Sequence, residues 1–321
     1  MKHFIALALI IAAQTAIAYA STGDRSQYYQ NCVKSCKTAN CTNDVTFTKS
    51  AALQQDTWSR LLLWGCGDEC RYHCMWKTTN LFQSRGFDVP KFHGKWPIVR
   101  ILGVQEPASA FASLLNLVFH VYMNKQVRRK FRRKNAPLLG FWHMFSAVCV
   151  NAWLWSTVFH TRDTPLTEFL DYACALSMVT ALLLAAVVRI NHGSRLVSWA
   201  AVALLVLGYL EHVAYLYAGR VDYDYNMAVN VAVGVIGSVL WLAWSVFQYW
   251  RGHTHTWRMM CFTILAGAAL SLELLDFPPK AGVWDAHALW HLATAPLVPL
   301  FYKFVIDDLR HLKTESGKKI V

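Results

Sequence analysis

Five side chains of types that bind metals or transfer protons recur along this chain at helical spacing. Ser156 and His160 are four residues apart, which places both on one face of a helix. His287 and His291 repeat that spacing nearer the C-terminus. Asp171 lies at the start of an apolar run, where a carboxylate is costly and tends to mark a functional site. The pattern predicts that three imidazoles, a carboxylate and a hydroxyl converge within a helical bundle.

These residue types favour a catalytic zinc site. Catalytic zinc needs three protein ligands and an open position for water, so we expect His160, His287 and His291 to bind Zn²⁺. Bound zinc lowers the pKa of its water toward about 7. Asp171 would accept or orient the proton of that water, and Ser156 would hydrogen-bond the carbonyl of an ester or amide. The pattern therefore predicts hydrolysis of an acyl bond at the bilayer interface.

Two other interpretations of the same residues stay open. Ser156, His160 and Asp171 could form a hydrolase triad without a metal, although His287 and His291 would then have no role. The cluster could also be structural, because His-x3-His pairs arise by chance and serine packs where membrane helices approach closely.

Three further carboxylates flank the histidine pair. Glu273 and Asp276 end one apolar run, and Asp285 begins the next. They either hold the imidazoles through hydrogen bonds or lie at the membrane interface. His253 and His255 form a separate pair in a short polar connection, where we expect exposure to solvent.

The elements that position these residues are predicted to be membrane helices. The 321-residue chain is 55% hydrophobic and 16% charged, which is too apolar for an ordinary soluble domain. Its net charge of +12 does not indicate a nucleic-acid partner, because Lys and Arg are concentrated between apolar runs. Seven apolar runs predict an all-α, seven-transmembrane helix bundle. The expected spans are 101–123, 138–160, 167–189, 196–218, 227–249, 257–275 and 285–306.

Loop charge predicts the orientation of these spans. The first connection holds a basic cluster that should stay cytosolic: Lys125, Arg128, Arg129, Lys130, Arg132, Arg133 and Lys134. The N-terminus is then lumenal and the C-terminus cytosolic. The tail carries Lys318 and Lys319, an arrangement similar to a dilysine signal that binds a retrieval coat, although chance basic residues are an alternative.

The N-terminal region indicates the secretory pathway. Residues 1–20 combine a basic start, a short apolar run and Ala18-Tyr19-Ala20, which predicts a cleaved signal peptide, with an uncleaved anchor as the alternative. Six cysteines follow and predict three disulfides, with a Cys-rich zinc module as the competing interpretation. They are Cys32, Cys36, Cys41, Cys66, Cys70 and Cys74.

Asn40-Cys41-Thr42 is a sequon for glycosylation at Asn40, within a segment where Cys41 is itself expected to be oxidised. The expected organisation is a signal peptide over 1–20, a lumenal Cys-rich segment over 21–98, the helix bundle over 99–308 and a cytosolic tail over 309–321.

Three blocks of sequence carry a family resemblance. They are residues 105–109, residues 155–163 with Glu168, Asp171 and Tyr172, and residues 272–279 with 285–291. These blocks resemble the post-GPI-attachment-to-proteins factor 3 family, or Per-like proteins, in a superfamily with alkaline ceramidases and adiponectin receptors. With the cysteine segment and the spans, the resemblance covers nearly all of the mature chain.

The resemblance implies a GPI-specific phospholipase A2 type of activity, which removes the unsaturated sn-2 acyl chain from GPI anchors attached to proteins so that a saturated chain can replace it. It also implies zinc held by His160, His287 and His291, with Ser156 and Asp171 beside it. Residence in the endoplasmic reticulum, or in the Golgi as for some family members, suits that substrate. The rival functions are a seven-helix receptor or GPI-binding chaperone with a structural metal site, and a metal transporter.

Overall fold

The structure is a computed structural model that describes residues 21–131, 136–219 and 222–318. The predicted signal peptide, Lys319 and the side chain of Lys318 lie outside the described residues, as do residues 132–134 of the basic loop. Apart from isolated bridges, the regular elements of the described residues are helices. The prediction of an all-α fold is therefore confirmed for this part of the chain.

One compact unit consists of the described residues up to Ala108, together with His160–Arg162 and Asp276–Ala286. Its helices are α1 (Thr22–Arg25), α2 (Gln27–Asn40), α3 (Lys49–Gln54), α4 (Thr57–Leu61) and α5 (Cys66–Ser84).

Three disulfides connect α2 and the residue that follows it, Cys41, to α5. They are Cys32–Cys74, Cys36–Cys70 and Cys41–Cys66. Residues at i and i+4 share one helix face, so the descending order of partners forms a ladder between two antiparallel helices. The prediction of three disulfides is confirmed, and the pairing takes up the thiolates that a Cys-rich zinc module would need.

The second compact unit holds the long apolar helices. They are α6 (Pro107–Phe131), α7 (Leu139–Thr161), α8 (Pro165–Ile190), α9 (Arg195–Ala218), α10 (Tyr223–Trp250), α11 (Trp257–Leu275), α12 (Ala286–Thr294) and α13 (Leu297–Lys318). A 3₁₀ turn at Thr254–Thr256 precedes α11. Helix α8 packs against α9 and α10, and α11 packs against α10 and α13.

Within the described residues, five helical segments are long and apolar enough to cross a membrane, so the chain is a multi-pass membrane protein. They are Pro165–Ile190, Arg195–Ala218, Tyr223–Trp250, Thr254–Leu275 and Ala286–Ser316. On α9, Leu196, Trp199 and Leu204 are at least 70% exposed. Such side chains are suited to face lipid.

Helices α6 and α7 coincide in part with the first two predicted spans but are not among these five. Helix α6 buries Ser113, Asn116 and His120, and α7 buries Ser146 and Ser156. These polar side chains lower the mean hydropathy of the two helices. The seven-span count therefore stays a prediction.

Two predicted span boundaries differ from the structure. The first span was expected from residue 101, but α6 begins at Pro107, because Leu102 and Gly103 have φ of 51° and 74°, which a right-handed helix does not allow. The last expected span, 285–306, is two helices. Pro296 lies between them and interrupts the helix because it has no backbone N–H.

A buried ion pair connects α8 to α13. The guanidinium of Arg189 donates to both carboxylate oxygens of Asp308, at 2.6 and 2.8 Å. Aromatic side chains fill the core of the same unit, among them Trp142, Trp241 and Phe304. This packing fixes the long helices that carry most of the candidate site.

Candidate metal centre

His160 lies in the last turn of α7 and is held by Glu106. Its Nδ1 donates to Oε2 of Glu106 at 2.6 Å, and the backbone N–H of Glu106 donates to the carbonyl of His160 at 2.9 Å. Lys95 Nζ donates to the other carboxylate oxygen at 3.1 Å. The side chain of His160 is 1% exposed. Because Nδ1 carries the proton, the lone pair of Nε2 can bind a metal.

Arg162 anchors the segment that follows His160. Its guanidinium lies 3.7 Å from the ring centre of Trp64 and donates to Asp68 at 2.6 Å. Trp64 in turn donates from its indole N–H to the carbonyl of Gly103 at 2.9 Å. These contacts fix the backbone two residues beyond the imidazole.

His287 and His291 lie one turn apart on α12. Their Nε2 atoms are 2.9 Å from each other. The Nδ1 of His287 donates to Oε2 of Glu273 at 2.7 Å, and Tyr223 donates to the other oxygen of that carboxylate at 3.2 Å. Glu273 therefore contacts the imidazole of His287.

The backbone of His291 is fixed by α6. Asn116, wholly buried on α6, donates from Nδ2 to the carbonyl of His291 at 2.8 Å. The ring of Trp153 packs edge-on against the imidazole, with centroids 5.2 Å apart. Asn116 was not among the residues expected at the site, because a lone amide in an apolar run has no characteristic spacing.

The structure describes the three expected imidazoles in two places. His160 is held by Glu106 at the end of α7, and His287 and His291 form a pair on α12 with Nε2 atoms 2.9 Å apart. Two of the three rings contact a carboxylate through Nδ1, an arrangement that orients metal-binding histidines in proteins. That the three rings bind one ion stays a prediction.

The two expected oxygen side chains have different surroundings. Ser156 is buried on α7, and its hydroxyl lies 3.1 Å from that of Ser113. Asp171 is half-buried in the second turn of α8, a helix whose start is capped by Thr164 with Pro165 at its first position. The roles expected for Ser156 and Asp171 stay predictions.

The other two flanking carboxylates lie near the ends of the helices that carry Glu273 and His287. Asp276 accepts from the indole N–H of Trp96 at 2.8 Å and pairs with Lys91. Asp285 is buried immediately before α12. Asn40, the predicted glycosylation site, is exposed at the end of α2 and donates to the carbonyl of Cys36. Its modification stays a prediction.

Comparison with known proteins places these features in a family. The Per1-like family matches residues 57–309. "Post-GPI attachment to proteins factor 3" of Drosophila melanogaster is 44% identical over 308 residues, which cover 95% of this chain and 94% of the relative. "GPI-specific phospholipase A2-like PGAP3" is 44% identical in Danio rerio over 93% of each chain, and 40% identical in Homo sapiens over 99% of each chain. With a family match over most of its length and relatives this similar, the chain belongs to the Per1-like family.

Proposed function

We propose that this protein is a zinc-dependent hydrolase of the endoplasmic reticulum membrane that removes the sn-2 acyl chain of GPI anchors attached to proteins. The observation that carries the proposal is the pair formed by His287 and His291, whose Nε2 atoms are 2.9 Å apart while the Nδ1 of His287 is held by Glu273. The names of the relatives from Danio rerio and Homo sapiens supply the substrate class, since both are called GPI-specific phospholipase A2-like.

The chemistry of the three donors fits zinc. Zinc–nitrogen bonds of about 2.0–2.1 Å place the ligands of a tetrahedral ion roughly 3.4 Å apart, and the Nε2 atoms of His287 and His291 are 2.9 Å apart. Small rotations of the rings reach the required spacing. Glu106 and Glu273 hold the Nδ1 protons of His160 and His287, so the opposite nitrogens can act as ligands.

The surrounding residues would act on an ester as follows. When bound, zinc supplies a Lewis acid that polarises oxygen and makes water nucleophilic near neutral pH. Asp171 accepts the proton of the attacking water, whose oxygen bonds to the acyl carbon. The hydroxyl of Ser156 donates to the carbonyl oxygen as negative charge develops. The bond from the acyl carbon to the glycerol oxygen then breaks, that oxygen takes the proton, and a fatty acid and a lyso-anchor leave.

We infer a lumenal N-terminus and a cytosolic C-terminus. The three disulfides of the N-terminal unit require an oxidising compartment, and the basic residues that end α6 favour the cytosol for that end. GPI-anchored proteins face the lumen, so this orientation brings the substrate to the histidine side of the bundle. The dilysine tail supports the endoplasmic reticulum, with the Golgi as the alternative.

The proposal is tested in cells that lack the endogenous protein. We expect cells that express His291→Ala to accumulate GPI-anchored proteins with their original unsaturated sn-2 chain, measured by mass spectrometry of the anchor lipid. His73→Ala, at an exposed histidine of α5, is the matched control and should restore remodelling. Normal anchor lipids in cells with His291→Ala would contradict the hydrolase and favour a binding role.

A further inference from the structure

A second histidine cluster lies in the unit of long helices. It forms where the connection between α10 and α11 meets the last turns of α13. It consists of His253, His255, His311 and Glu315. The ring centroids of His253 and His311 are 4.5 Å apart, and those of His255 and His311 are 5.2 Å apart. The expectation that His253 and His255 are simply exposed to solvent is wrong, because both are partly buried.

Three members of the cluster present ligand atoms to a common point. One atom each from His253, His311 and Glu315 lies within 4.8 Å of the others. Nε2 of His311 is 3.3 Å from Oε1 of Glu315, which follows it by one helical turn. The side chains of His311 and Glu315 are 24% and 52% exposed, so an ion and water can reach the cluster from solvent.

The fourth member, His255, connects the cluster to the core of the bundle. Nε2 of His255 lies 3.2 Å from the carboxylate of Asp308. Asp308 is completely buried and is held by two hydrogen bonds from Arg189. The His255 ring also lies nearly parallel to that of Phe304. The cluster is therefore built on a fixed ion pair within the bundle.

Backbone contacts fix His253 as well. The buried hydroxyl of Thr256 lies 2.9 Å from the carbonyl of His253 and 3.0 Å from that of Ser245 on α10. A ligand in a flexible loop loses conformational entropy when it binds an ion, whereas a positioned ligand loses less. The connection is thus arranged before an ion binds.

Neighbouring cations have other partners. Arg258 and Arg310 both donate to Asp307, at 2.7 and 3.0 Å. The carboxylate of Glu315 therefore adds negative charge beside two imidazoles. Two histidines and one glutamate form a ligand set that known zinc sites use, with an open position for water.

We propose that His253, His311 and Glu315 bind a second divalent transition metal ion, of which zinc is the best match. The ion ties the connection after α10 to the C-terminal helix α13 and so stabilises that end of the protein. This site shares no ligand with the catalytic site that is proposed for His160, His287 and His291.

The test counts metal ions bound to the purified full-length protein in detergent. Wild type, His291→Ala, His311→Ala and the double variant are loaded with Zn²⁺, freed of excess ion and measured by elemental mass spectrometry. We expect His291→Ala to retain one ion per chain and the double variant to retain none. Because the comparison is made in the His291→Ala background, its result does not depend on the proposed hydrolase. Equal zinc content in His291→Ala and the double variant overturns the second site.

A second measurement distinguishes loss of the metal site from misfolding of the variant. Glu315→Gln keeps the size of the side chain at an exposed position and removes the charge of one ligand. In the His291→Ala background, Zn²⁺ should raise the Tm, and adding Glu315→Gln should abolish that rise without lowering the metal-free Tm. An equal rise in Tm with and without Glu315→Gln counts against the site. His73→Ala is the control, and it should change neither the metal-free Tm nor the rise in Tm with Zn²⁺.

Discussion

The Nδ1 atom of His287 lies 2.7 Å from Oε2 of Glu273, fourteen residues earlier in the chain. The same relationship holds between His160 and Glu106, at 2.6 Å. In both pairs the carboxylate fixes the tautomer of the imidazole and leaves Nε2 available as a ligand. Two separate carboxylates thus orient two separate rings in the same way.

Glu273→Gln should weaken zinc binding about 10–100-fold, because loss of such a carboxylate partner lowers ligand basicity and frees the ring. The affinity is measured by competition with a coloured chelator, in the presence of His311→Ala to isolate one site. Glu211→Gln, at an exposed position of α9, is the matched control. An unchanged affinity in Glu273→Gln would show that the carboxylate does not tune the ligand.

Arg162→Lys should weaken zinc binding at the same site without unfolding the protein. Lysine cannot both stack on Trp64 and bond to Asp68 as the planar guanidinium does, so the segment after His160 loses its anchor. Arg71→Lys is a matched control, because Arg71 also bonds to Asp68 at 2.6 Å but lies on α5. Equal effects of the two variants on zinc affinity would contradict a positioning role for Arg162.

Asp308→Ala should destabilise the protein by about 3–5 kcal/mol, because it leaves the buried guanidinium of Arg189 without its partner. Unfolding is followed in mixed detergent micelles. The double variant Arg189→Met/Asp308→Leu removes both charges and should be more stable than Asp308→Ala. A double variant that is the less stable of the two would show that the charges themselves hold α8 and α13 together.

Peptide mapping without reduction should recover the pairs Cys32–Cys74, Cys36–Cys70 and Cys41–Cys66. The double variant Cys36→Ser/Cys70→Ser should lose about 2–4 kcal/mol of stability, the usual cost of losing a native disulfide. Cys261→Ser, at an unpaired and half-buried cysteine, should change stability by no more than about 0.5 kcal/mol. Recovery of a different set of pairs would refute the ladder between α2 and α5.

Local spacing was sufficient to predict much of the site. Residues four apart on a helix share a face whatever the tertiary structure, so Ser156 with His160, and His287 with His291, could be grouped from sequence. The disulfides were predicted as a set of three, but their pairing needed the antiparallel arrangement of α2 and α5.

Long-range contacts were not predictable in the same way. Glu106 is 54 residues from His160, and no periodicity connects a residue just before one helix to the end of the next. Asn116 contacts a carbonyl 175 residues away. The interruption at Pro296 could have been predicted, because proline inside an apolar run breaks a helix.

The most direct test of the central claim is hydrolysis by purified protein before and after removal of metal. The substrate is a GPI-anchored protein with an unsaturated sn-2 chain, and released fatty acid is measured by mass spectrometry. We predict that verified removal of metal abolishes release, that Zn²⁺ restores it, and that His291→Ala stays inactive throughout. Full release of fatty acid by metal-free protein would contradict the account.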